Sequence, residues 1–128
     1  MGEKKTIRTF TDLDAWKEGH KIVLMIYKIT RNFPKEEAFG LTSQLRRCSV
    51  SITSNIAEGF SRQSNKDKIQ FYAIALGSLT ELQSQTITAK DVGLMKSDDF
   101  QKIAEQSVVV HKIISGLIKS TKLRSSKP

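Results

Sequence analysis

Residues 39–62 read FGLTSQLRRCSVSITSNIAEGFSR, and this stretch decides the fold. Leu41, Leu45, Cys48, Ile52, Ile56 and Phe60 recur at intervals of four, three, four, four and four. With 3.6 residues per turn, that spacing lines one side of an α-helix. The rest of the surface is small and mostly uncharged, with Ser49, Ser51, Ser54, Asn55 and Ala57. No acid lies between Glu37 and Glu58, while Arg46 and Arg47 are adjacent. An apolar stripe beside a face of small polar groups predicts two partners. One is the core; the other is a neighbouring helix, another subunit or nucleic acid.

Working outward, similar patterns flank this helix on both sides. Upstream, Leu13, Trp16, His20, Val23, Leu24 and Tyr27 form one stripe, and Ile22, Ile26, Ile29 and Phe33 a second, offset one. The spacing predicts a helix over about 13–32, stopped by Phe33-Pro34 because proline biases its predecessor away from helical dihedrals. Two stripes exceed what one packing face needs, so this helix is either central or partly at an interface. Thr11 and Asp14 resemble a capping box at its start. Downstream, Ser64 and Asp67 open a helix over about 67–91, lined by Ile69, Tyr72, Leu76, Leu79 and Leu82. Gly77 in its middle is read as a point of close helix approach. Gly93 is placed as a left-handed C-cap with Leu94 folding back. A fourth helix over about 98–119 carries Phe100, Ile103, Val110, Ile114 and Leu117. Residues 1–10 read as a flexible leader and 120–128 as a mobile basic tail. The expected architecture is all-α: an antiparallel, up-down-up-down four-helix bundle over 11–119.

Composition narrows the function classes. The 128 residues suffice for one domain with a real core. There is no apolar run near the ~20 residues of a membrane span and no signal-peptide pattern. A lone cysteine, Cys48, excludes an intrachain disulfide, and the expected compartment is a reducing cytoplasm. Neither His20 nor His111 has a Glu three residues before it, so a di-iron pattern is missing and no metal or other cofactor is expected. There is no glycine-rich phosphate loop followed by lysine, and Cys48 lies on an apolar stripe. No catalytic constellation is visible, and the reading is non-enzymatic.

Charge is the positive signal. Twenty-one Lys and Arg face thirteen Asp and Glu, a net +8. After Glu105 no acid occurs, yet Lys112, Lys119, Lys122, Arg124 and Lys127 follow. A polyanion fits such a surface. A solvated helix face with a disordered basic tail fits it equally. The candidate phosphate contacts are Arg46, Arg47, Arg62, Lys66, Lys68, Lys119, Lys122 and Arg124. Asn55, Glu58 and Arg62, spaced by three and four, form a polar row. It is either a recognition site or a structural cluster in which Glu58 pairs with Arg62 and Asn55 bonds a neighbouring helix or subunit. No base-reading motif or aromatic stacking platform is evident, so contacts to phosphate and shape are expected.

FTDLDAWKEGHKI (10–22), FPKEEAFGLTSQLRR (33–47), SNIAEGFSR (54–62) and FYAIALGSLTEL (71–82), in this order, closely resemble the 23S rRNA-intervening sequence proteins. The resemblance spans about 10–119. It implies a four-helix bundle assembling as a ring, typically a homopentamer, in a bacterial protein. It also implies kinship with the accessory variability determinant of diversity-generating retroelements, a basic pentamer that works with a reverse transcriptase. No catalytic residue carries over. Matching motif positions include Gly40, Gln44, Arg46, Arg47, Asn55, Glu58, Gly59, Arg62, Gly77, Ser78 and Glu81, with an implied role in holding bundle and ring. The expected function is a homo-oligomeric bundle binding RNA or DNA through basic surface. The alternative is a protein-interaction scaffold for a nucleic-acid enzyme such as a reverse transcriptase.

Overall fold

The computed structural model describes residues 6–125. Among them are four α-helices, α1 (Asp14–Thr30), α2 (Leu41–Ser61), α3 (Asn65–Asp91) and α4 (Ser97–Ser125), and no strand. Short 3-10 turns precede α1 at Phe10–Asp12 and α2 at Lys35–Glu37. Each helix packs on the next and α1 closes on α4, while among the described residues the backbones of the diagonal pairs α1/α3 and α2/α4 stay apart. The connections are short, so neighbours run antiparallel and the bundle is up-down-up-down.

The core shows which stripe each helix buries. From α2 come Leu45, Cys48, Ile52 and Ile56; from α3, Tyr72, Ala75, Leu79 and Leu82; from α4, Ile103, Val110 and Ile114. In α1 the core stripe is Ala15, Ile22 and Ile26, followed by Phe33 beyond the helix end. The other α1 stripe is divided: Val23 is buried, Leu13 and Trp16 pack against the core, and the rest turns toward solvent. Trp16 and His20 are half-buried and stacked 4.6 Å apart, and Leu24 and Tyr27 are exposed.

Three expectations are corrected. Helix α1 is not opened by Thr11 and Asp14. One turn earlier, the Asp12 carboxylate accepts the backbone N–H groups of Arg8 and Thr9, at 2.8 and 3.1 Å, and they hold its pKa below the usual value. Gly77 is not a point of close approach, because a Cβ built there meets nothing within 4 Å. The close approach is at Gly59, where an added Cβ would lie 2.7 Å from the Tyr72 ring and 3.0 Å from Phe71 Cβ. The third correction concerns the end of α4. It continues to Ser125, so residues 120–125 are helix rather than mobile tail. Thr121 falls on the core face four residues after Leu117, is fully buried, and donates its hydroxyl hydrogen to the Leu117 carbonyl at 2.7 Å. A threonine that satisfies its own hydroxyl fills a core position without adding to the apolar pattern. Residues 1–5 and 126–128, including Lys127, lie outside the described residues.

The remaining punctuation matches the sequence. Ser64 caps α3 by accepting the Asp67 N–H at 3.1 Å. Gly93 ends α3 at φ +84°, and the Leu94 N–H donates to the Ala89 carbonyl at 2.9 Å, which returns Leu94 to the core edge.

Candidate nucleic-acid interface

Antiparallel packing brings the end of α2, the start of α3 and the end of α4 to one end of the bundle. This end gathers Arg62, Lys66, Lys68, Lys122 and Arg124, with Lys119 a turn further in. Their environments differ. Arg62 pairs with Glu58 at 3.1 Å, and its guanidinium lies 4.6 Å from the Phe71 ring centre. Both ends of that pair stay about half exposed, so it contributes little stability and leaves the charge open to solvent. Lys66 and Lys119 are exposed, and their side chains make no hydrogen bond or ion pair among the described residues. Arg124 donates to Thr121 Oγ1 at 3.2 Å.

Lys68 has a different job. Its ammonium donates to the Phe60 carbonyl at 2.6 Å and the Gly59 carbonyl at 3.5 Å, closing the last turn of α2. A cation there satisfies orphan carbonyls and opposes the negative end of the helix dipole. Burial, and then the nearby Arg124 charge, hold the Lys68 pKa below its usual value. Lys68 is therefore an internal cap more than a phosphate ligand. Arg124 also acts electrostatically on Tyr72, so the α3 and α4 cations share this end.

Arg46 and Arg47 lie elsewhere. They are four turns of α2 away from Arg62, which at 1.5 Å per residue is about 20 Å. Their directions diverge too. Arg46 Nε donates to Thr30 Oγ1 at 2.9 Å and its guanidinium sits 4.6 Å from the Tyr27 ring centre, tying α2 to α1. Arg47 is exposed on the opposite flank, at the edge of a groove between α2 and α3.

The polar row also separates. Glu58 and Arg62 form the i,i+4 pair, but Asn55 turns back. Its amide donates to the Ser51 carbonyl at 2.8 Å and to Ser51 Oγ at 3.1 Å, and Ser51 Oγ shares a 2.8 Å hydrogen bond with Ser78 Oγ on α3. Cys48 Sγ donates to the Ser78 carbonyl at 3.0 Å. Burial, followed by the Glu81 carboxylate, pushes the Cys48 thiol up to about 12, so it remains protonated and non-nucleophilic at neutral pH. Among the described residues no three His, Cys, Asp or Glu side chains gather as a metal site. No helix there is long and apolar enough to cross a membrane.

Sequence reasoning missed the capping role of Lys68 and the bridging role of Arg46. The first had a faint signal, a lysine seven residues after the last residue of α2. Nothing in the sequence marked the second.

A family model described as 23S rRNA-intervening sequence protein matches residues 11–116. A search of curated proteins finds no match. Among solved structures, the chain is similar to a protein of unknown function from the S23 ribosomal protein family of Bacteroides thetaiotaomicron VPI-5482, solved at 1.70 Å. The likeness has a TM-score of 0.76 at 22% identity and covers 82% of this chain and 95% of that one. At that identity it shows the shared fold.

Proposed function

The chain belongs to the 23S rRNA-intervening sequence protein family, and from that premise we propose a non-enzymatic, homo-oligomeric RNA-binding bundle. It holds RNA by its phosphates at the basic end. The observation that carries this reading is the convergence there of cations from three helices, with Lys66 and Lys119 uncommitted and Arg62 open to solvent. Cations without internal partners are the ones that can exchange counterions for phosphates. Self-association is supported by the exposed apolar side chains Leu24 and Tyr27 on α1, with exposed Val50 on α2. Repetition of a modest basic patch around an assembly multiplies its effect through multivalency.

The test is titration with a structured ribosomal RNA fragment across a salt series, with the mass of the assembly measured in the same buffer. Submicromolar binding that weakens steeply with salt is expected. Replacing Lys66 and Lys119 together with Gln should lower the salt slope by about one per lost contact. An intact oligomer that binds no RNA at low salt would overturn the reading and favour the scaffold for a nucleic-acid enzyme.

A further inference from the structure

The groove beside Arg47 has features the basic end lacks. It holds about 660 Å³, within the roughly 300–1,000 Å³ of small-molecule sites, and is lined by Phe39, Gln44, Arg47, Cys48, Glu81 and Gln85. Its floor is already satisfied, since Cys48, Ser51 and Ser78 bond one another across α2 and α3. Its rim is not. Phe39, just before α2, is fully exposed at 101%, leaving an aromatic face in water at the mouth of a polar groove. Gln85 Oε1 is shielded from solvent and accepts no hydrogen bond. Glu81 is exposed, interacts with the Cys48 thiol and accepts a long 3.4 Å contact from Gln85 Nε2, and it brings carboxylate acceptors to the same wall. Arg47 supplies a cation with no partner among the described residues.

A planar ligand that stacks on one face, offers adjacent N–H donors at one edge and carries an anion answers all three features. We propose that the α2–α3 groove binds a single unstacked guanine nucleotide. The base lies on Phe39, its ring and exocyclic N–H groups are donated to Glu81 and Gln85 Oε1, and its phosphate meets Arg47. Guanine presents two neighbouring donors at its pairing edge, whereas adenine presents a donor beside an acceptor, which a carboxylate repels. The proposal rests on the RNA reading for the source of the nucleotide. A free guanine nucleotide shares the same chemistry.

The experiment uses the full chain, short single-stranded uridine RNAs carrying one central guanosine or adenosine, and free GMP and AMP. Wild type should bind the guanosine strand more tightly than the adenosine strand. Phe39→Ala, whose side chain contributes nothing to the core, should weaken it roughly 5- to 150-fold, the range for loss of one base stack. Glu81→Gln should erase the guanosine preference while leaving the salt slope unchanged. Equal affinity for both strands, insensitive to both variants, would overturn the groove site; steep binding of structured RNA in the same preparation would leave the basic-end reading standing. GMP binding without RNA binding would support the groove for free nucleotide and overturn the basic end. A smaller assembly mass for Phe39→Ala would make the ring a contact between copies and overturn the nucleotide site.

Discussion

The α2–α3 and α1–α4 seams are both antiparallel helix pairs of one bundle, yet they are built by different means. Between α2 and α3, small residues let the backbones close up: Gly59 against Tyr72, and Ser51, Cys48 and Asn55 linked in one hydrogen-bonded set with Ser78. Between α1 and α4 the seam is joined by apolar residues, Ile22 and Ile26 on one side and Ile103, Val110 and Ile114 on the other, with no serine or glycine contact of that kind among the described residues. The polar tie there is peripheral, with Gln106 Nε2 donating to the Glu18 carbonyl and carboxylate, both at 3.0 Å. The difference teaches that register in this bundle is set by α2 and α3. The α1–α4 seam is set by apolar burial.

The contrast breaks first at Gly59. Gly59→Ala drives a methyl into Tyr72 and Phe71, and urea unfolding should show a loss of about 1–3 kcal/mol from overpacking. A neutral result would mean the seam has slack. Ser78→Ala removes the partner of Ser51 Oγ and should cost about 0.5–1.5 kcal/mol in the same measurement. Gly77→Ala, one residue away but facing open space, sharpens the comparison by reversing its sign. It should stabilise by about 0.5–1 kcal/mol, as expected for glycine in an exposed helix interior. The smallest effect is expected on the other seam. The hydrogen bond from Lys21, then that from Gln106, holds the Glu18 carboxyl below its usual pKa. A depressed carboxylate adds stability that is complete above its unfolded pKa and lost as pH falls through the lower folded value. Glu18→Gln should therefore flatten only the acid edge of the stability profile, slightly, because its partner Lys21 is exposed and the pair lies at the edge of the bundle. An unchanged acid edge would remove the tie from the account.

Much of this fold could be read from spacing, because stripes on α2, α3 and α4 match one helix face each. Where spacing was silent, the cause was physical. Helix α1 carries two stripes, and an apolar pattern reports that a face is buried without reporting against what. Gly59 and Gly77 look alike in sequence; only the position of Tyr72 separates them. Thr121 hides a core position because its hydroxyl is satisfied within its own helix. The candidate site was legible as charge but not as commitment. Arg46, Lys68 and Lys66 are equal cations on paper, and the partners that occupy the first two come from Thr30 and from the end of α2. The groove was hidden for another reason: it joins Phe39 to Glu81 and Gln85 across two helices.

The order in which neighbouring helices pair around the bundle also bears on how the chain reaches this state. Three of the four seams join consecutive helices across short turns, and their closure entropy is small. Only α1 against α4 spans nearly the whole chain. Closure cost rises with the logarithm of loop length, and helical chains rich in local contacts fold quickly. The search is therefore concentrated in one event, the docking of the first helix onto the last. Because that event brings the start of α1 and the end of α4 to the same side of the bundle, a peptide link joining the two with no new opening elsewhere would make all four seams local and speed folding.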